Sequence, residues 1–131
     1  MEHLQICLSG MNTIDQIAAN TRQFEPLTDR ELFALSNVRD IIEKNTAVSC
    51  TGCRYCEPHC PVQIAIPDYF KMYNEISRFP DEDWKIKPVY HQLSLSRGKA
   101  SKCLSCRECE KHCPQHIRIS DMMNQVASAL E

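Results

Sequence analysis

Cys50-Thr51-Gly52-Cys53-Arg54-Tyr55-Cys56-Glu57-Pro58-His59-Cys60-Pro61 is the stretch on which the reading of this chain turns. Its four cysteines are spaced by two, two and three residues, and a proline follows the last. The same spacing returns position for position in Cys103-Leu104-Ser105-Cys106-Arg107-Glu108-Cys109-Glu110-Lys111-His112-Cys113-Pro114. The likeness continues past the prolines, where Val62-Gln63-Ile64-Ala65-Ile66 faces Gln115-His116-Ile117-Arg118-Ile119. The chain therefore holds two copies of one loop, separated by an insert about the size of an αα-hairpin.

The chemistry of the run follows from its spacing. A 4Fe-4S cube needs four thiolates, one for each iron. A tight loop that turns a side chain inward at every third residue wraps three cysteines around one cube. The fourth, followed by proline, leaves the loop in an extended direction and does not readily curl back. In the bacterial-type run this fourth cysteine serves the other cluster. Applied here, one 4Fe-4S cluster takes Cys50, Cys53, Cys56 and Cys113, and a second takes Cys103, Cys106, Cys109 and Cys60. The competing reading is structural: the clusters, or a pair of all-cysteine zinc sites in their place, only staple a small helical domain that docks a partner and have no redox role. Zinc knuckles usually pair two Cys-x2-Cys units across a longer loop, so the spacing favours iron and one-electron transfer.

Composition narrows the setting. The chain has 131 residues, 43% of them hydrophobic, and a net charge of -2. That suits one ordinary domain, or a small domain with part of something larger. No basic field points to nucleic acid, and no apolar stretch is long enough to span a bilayer. Met1-Glu2-His3-Leu4 lacks the basic and apolar regions of a signal peptide. A cytoplasmic location is expected, where clustered cysteines are metal ligands more often than disulfides. Of nine cysteines, only Cys7 stands apart, and it reads as a small buried side chain rather than a reactive thiol.

Periodicity predicts a mainly α chain. Leu4, Ile6 and Leu8 alternate as in a short strand that ends at Ser9-Gly10. A helix is expected over 13–24, capped by Thr13 and stopped by Pro26. A second opens at Thr28 with Glu31 three residues on, a capping box, and carries the apolar stripe Leu32, Leu35, Val38, Ile41 and Ile42 to about Asn45. A third runs from Pro67 to Ser77, a turn falls at 79–81, and one or two short helices occupy 84–95. A last helix runs to Leu130 with Ser120 as N-cap. Tyr69, Phe70, Tyr73 and Trp84 are expected in the core. Arg54, Arg107, Lys111, His59, His112 and His116 read as solvated or as supporting groups around the clusters. No P-loop, GxGxxG or supported Ser-His-Asp arrangement is present.

The stretch Cys50 to Cys56, the Pro67-Asp68-Tyr69-Phe70 helix start and Cys109-Glu110-Lys111-His112-Cys113-Pro114-Gln115-His116-Ile117 resemble the C-terminal ferredoxin-like domain of iron–sulfur-containing aldo/keto reductases. Leu8-Ser9-Gly10-Met11, Gln16, Asn20, Glu25-Pro26-Leu27-Thr28-Asp29 and Glu31-Leu32 look like the closing segment of such a reductase's barrel. The resemblance covers nearly the whole chain and is weakest over 79–100. It implies that residues 1–48 are the last strand and helices of a (β/α)8 barrel, and that 49–131 form an α-helical ferredoxin-like domain. It also implies a longer parent oxidoreductase, its catalytic residues upstream and outside this chain. Ser9, Gly10, Gln16 and Asn20 match positions that help hold the nicotinamide cofactor, NADP(H) in such a parent. A redox protein or the upstream barrel is the implied partner. Because nicotinamide moves two electrons and a cluster one, a flavin or similar converter is expected between them, and no motif here binds one.

Overall fold

Five α-helices and four short 3-10 turns carry residues 9–22 and 26–131, the residues described by the computed structural model. No strand occurs among the described residues; the nearest feature is an isolated parallel bridge between Ile64 and Gly98. The strand expected at residues 4–8, with Cys7, lies outside the described residues. The chain divides into two compact units, Met1–Leu35 and Ser36–Glu131.

In the first unit, α1 (Ile14–Asn20) begins at a capping box. The Gln16 N–H donates to Thr13 Oγ1 at 3.3 Å, and Gln16 Oε1 accepts from the Thr13 and Asn12 N–H groups at 3.3 and 2.9 Å. The helix is shorter than expected. Thr21 closes it, its hydroxyl donating back to the Ile17 carbonyl at 2.8 Å. Helix α2 (Asp29–Lys44) starts as the Thr28-Glu31 pattern predicts: Glu31 Oε2 accepts from the Thr28 N–H and hydroxyl at 2.8 and 2.7 Å. Asn45 and Thr46 end it by donating side-chain hydrogen bonds to the Ile41 and Ile42 carbonyls at 2.7 and 2.8 Å. No residue of α2 is buried.

The second unit is built on an internal repeat. Each position lies 53 residues from its counterpart, Cys50 to Cys103, and the offset holds beyond the cysteines to the helices α3 (Ile66–Arg78) and α5 (Ile119–Leu130). Both copies share their turns. The Cys60 and Cys113 N–H groups donate to the Glu57 and Glu110 carbonyls at 3.1 Å, and the Ile66 and Ile119 N–H groups to the Ile64 and Ile117 carbonyls at 2.9 Å. α3 and α5 pack on each other, and α4 (Asp83–Ser94) packs on both. Ile64, Ile66, Tyr69, Phe70, Ile119, Met123 and Val126 form the fully buried centre. Within α3 and α5 these positions recur at three- and four-residue steps, the period at which helical side chains share a face, and Ile64 joins them from the turn before α3.

The approach to each loop is pinned to the helix that follows it. Asn74 of α3 bonds both backbone groups of Val48, at 2.7 and 2.8 Å. Before the second loop, Glu131 Oε1 accepts from the Ser101 N–H at 3.0 Å and from the Tyr90 hydroxyl at 2.6 Å, and that hydroxyl in turn accepts from the Ala100 N–H at 2.9 Å. Burial alone would raise the Glu131 carboxyl, but the Ser101 and Tyr90 hydrogen bonds outweigh it and hold it below the usual carboxylate range. Gly98 is required by close approach: a Cβ there would meet the Val62 carbonyl oxygen at 2.3 Å.

The one or two short helices expected over 84–95 are a single helix, α4, running through Pro88. Two expectations change. Trp84 is 68% exposed and not in the core, because it stands at the start of α4 on the side away from α3 and α5, where Ile86 and Tyr90 fill the interior. Ser120 is not an N-cap: α5 starts at Ile119, and the carboxylate of Glu110, ten residues upstream, accepts the Ser120 N–H at 2.9 Å. The counterpart of Ser120 in the first copy is Pro67, which has no N–H to satisfy.

Candidate metal centre

The two cysteine loops turn by the same means. Gly52 and Arg54 in the first loop, and Ser105 and Arg107 in the second, all take left-handed backbone angles, with φ between 53° and 71°. Gln63 and His116 repeat the device after the prolines, with φ of 57° and 52°. Only glycine adopts this region freely, so five of these six positions carry strain that the loop closure must hold in place. Reversals between successive cysteines bring their side chains to one side of the loop. The exposure of the thiols repeats too: Cys53 and Cys106 are exposed, Cys56 and Cys109 buried, and Cys50, Cys103, Cys60 and Cys113 half-buried.

Two cavities result. The first is lined by Cys50, Cys53, Cys56 and Cys113, and the second by Cys60, Cys103, Cys106 and Cys109. Each draws three cysteines from one loop and one from the other. Ile66 and Ile119 form a wall common to both. Backbone N–H groups reach the sulfurs: Gly52 donates to Cys50 Sγ at 3.5 Å and Ile64 to Cys60 Sγ at 3.4 Å.

Charged residues brace the loops in matching places. Arg54 makes a two-pronged pair with Asp68 of α3, at 3.0 and 2.8 Å, and reaches Glu57 at 3.1 Å. Its counterpart Arg107 approaches Asp121 of α5 at 3.9 Å, and Asp121 also pairs with Arg118. Lys111 pairs with Glu108 at 2.7 Å. His59 and His112, each preceding the fourth cysteine of its run, stack with ring centroids 3.4 Å apart.

The family model of the 4Fe-4S dicluster domain matches residues 49–117, more than half of the chain. The chain belongs to that family. No curated protein and no solved structure matched it. The matched segment of the dicluster domain contains both cysteine loops, α3 and α4.

The donor set fits iron–sulfur chemistry. Each cavity is lined by four cysteines, the number of thiolates that one cube of four irons takes. Burial pushes the Cys56 thiol up to about 11 and the Cys109 thiol up to about 12, from an ordinary 9.0. Burial also raises Cys50, although the Gly52 N–H works the other way. Left to themselves these thiols keep their protons, and a bound metal is what draws the protons off.

Several residues of the second unit take roles that sequence reasoning did not assign. Asp68 and Asp121 hold the loop arginines, Glu110 caps α5, and Ser120 lines the second cavity. Asp68 and Asp121 lie at the repeat offset, so extending the alignment of the two copies into their helices was the signal available for them. In the first unit, Asn20 donates to Ser9 Oγ at 3.1 Å, Gln16 is engaged in its capping box, and the space beside Gly10 is open. All four of these residues are exposed.

Proposed function

We propose that this chain is an electron-transfer module holding two 4Fe-4S clusters, one on Cys50, Cys53, Cys56 and Cys113 and the other on Cys103, Cys106, Cys109 and Cys60. The observation that carries the proposal is the division of the eight sulfurs between two cavities, three from one loop and the fourth from the other. Each cluster supplies a site that takes up and releases one electron. The chain's own residues bind the irons, shape the loops through the left-handed positions and keep the interior face of each cavity apolar with Ile66 and Ile119.

The wider setting we propose is the C-terminal part of an aldo/keto reductase family oxidoreductase in the cytoplasm. In it, residues 49–131 are an α-helical ferredoxin-like domain, and Ser9, Gly10, Gln16 and Asn20 belong to an NADP(H) site completed by an upstream barrel. The motifs quoted for that resemblance support it, and the reading frame upstream of Met1 tests it: a frame without barrel sequence removes it.

The module itself is tested by anaerobic reconstitution followed by iron and sulfide analysis and EPR of the reduced protein. Eight irons and eight sulfides per chain, with a reversible one-electron signal, are expected, as two cubes require. A zinc-loaded, EPR-silent chain would overturn the proposal and leave the staple reading in its place.

A further inference from the structure

The two cavities repeat each other so closely that their differences are few. Arg54 lines the first and Arg107 the second, and each pairs with an aspartate of the helix that follows, Asp68 and Asp121. The charged lining is thus the same on both sides. Thr51 and Gln115, which line the first cavity, are exposed, so water satisfies their polar groups. One buried polar difference remains. Ser120 lines the second cavity, is 3% exposed, and its hydroxyl has no hydrogen-bond partner. The same position in the first copy is Pro67, which lines the first cavity and has no donor at all.

A buried hydroxyl without a partner is costly, because it has given up its hydrogen bonds to water, and a native chain that keeps one needs a reason for it. The position explains how the residue is kept in place: Glu110 holds the Ser120 N–H, so α5 begins normally while the side chain stays free. Hydrogen bonds to the sulfurs of an iron–sulfur cluster raise its reduction potential, because they stabilise the extra negative charge of the reduced form.

We infer that the Ser120 hydroxyl donates to sulfur at the site of Cys60, Cys103, Cys106 and Cys109, and makes that site the more easily reduced of the two. This rests on the cluster reading proposed above. Ser120 is a tuning residue, and an electron entering the module comes to rest on its side of the Ile66–Ile119 wall. The Pro67 site is the poorer acceptor and passes the electron on.

The test is an EPR-monitored redox titration of the reconstituted chain, with pulsed hyperfine measurements after exchange into D2O. The wild type should show two separated potentials and an exchangeable proton coupled to the cluster of higher potential. Ser120→Ala should lower that potential alone, on the order of tenfold in the electron's distribution, or about 59 mV for a one-electron step, and remove the proton coupling. Ser120→Thr keeps the hydroxyl and should restore both. Pro67→Ser supplies a donor on the other side and should raise the lower potential. Unchanged potentials in Ser120→Ala and in Pro67→Ser, at full iron and sulfide content, overturn the inference and leave the module intact. A wild type that takes up no cubes overturns the proposed function and this inference together, and the iron analysis separates the two failures.

Discussion

His59 and His112 lie face to face, their ring centroids 3.4 Å apart and their planes 7° from parallel. Each ring precedes the cysteine that its loop sends to the other loop's cavity, so the stack sits where the two chains of ligands cross. It ties together the two short 3-10 turns, Glu57–His59 and Glu108–His112, that place Cys60 and Cys113.

If the stack clasps the loops, His59→Ala and His112→Ala should not act additively. A double-mutant cycle on the reconstituted chain, read by denaturant unfolding, should give a coupling of about 0.5–1.5 kcal/mol, the range of aromatic pairs. Additive single effects would show that the rings merely lie near each other.

The crossed ligand sets make a site-specific prediction. Cys113→Ser should impair the cluster bound by the first loop and spare the second, and Cys60→Ser should do the reverse. Iron content of about four per chain in each variant, with different residual EPR signals, is the expected result for one intact cube. If each variant instead lost the cluster of its own loop, each run would be holding its own cube.

Glu110 caps α5 from outside the helix. Glu110→Ala should cost about 1 kcal/mol, as the loss of an N-cap does, while Glu110→Gln keeps an acceptor and should cost less. Thermal or denaturant midpoints of the reconstituted proteins check this, and equal losses in both would point to charge rather than to the hydrogen bond.

Gly98→Ala places a methyl group 2.3 Å from the Val62 carbonyl oxygen, a backbone atom that cannot rotate away. The bridge between Ile64 and Gly98 has to open, together with the bond from the Gly98 N–H to the Gln63 carbonyl at 3.2 Å. A loss on the order of 1–3 kcal/mol is expected, seen as a lower denaturant midpoint.

The metal-free chain should weaken in alkali. Cys56 and Cys109 are held at about 11 and about 12 in the fold, against 9.0 for a free thiol. As pH rises above about 9 the unfolded chain loses these protons first, so stability falls with pH; it is complete below that value and declines toward 12. Denaturant midpoints at pH 7.5 and 10 measure the loss. The iron-loaded chain should lack it, since a ligated thiolate has no proton to give up.

Local signals were legible where local chemistry decided the outcome. The cysteine spacing leads directly to the two loops, and the pairs Thr13-Gln16 and Thr28-Glu31 mark the starts of α1 and α2 because a capping box is complete within four residues. Ser120 misleads for the opposite reason. Its residue type suits a cap, but the acceptor comes from Glu110 in another element, and no pattern around Ser120 announces it. Trp84 is similar: the helix that carries it was foreseen, but which side of that helix meets α3 and α5 is settled by packing between distant segments. Arg54 is exposed, in keeping with a solvated or supporting charge, and what the sequence does not announce is its partner Asp68, which α3 brings to within 2.8 Å of it.

Because each cavity borrows one wall from the other loop, timing enters the chain's life as well as its shape. When residue 60 has left the ribosome, all four cysteines of the first run exist, yet only three of them face a common cavity. The partner for those three, Cys113, is made 53 residues later. Iron offered early therefore meets an unfinished cup, and a message cut short before Cys103 yields a chain with no complete site. On the proposed ligand sets, maturation would act as a proofreading step, since only a chain translated through both loops offers four cysteines to each cluster.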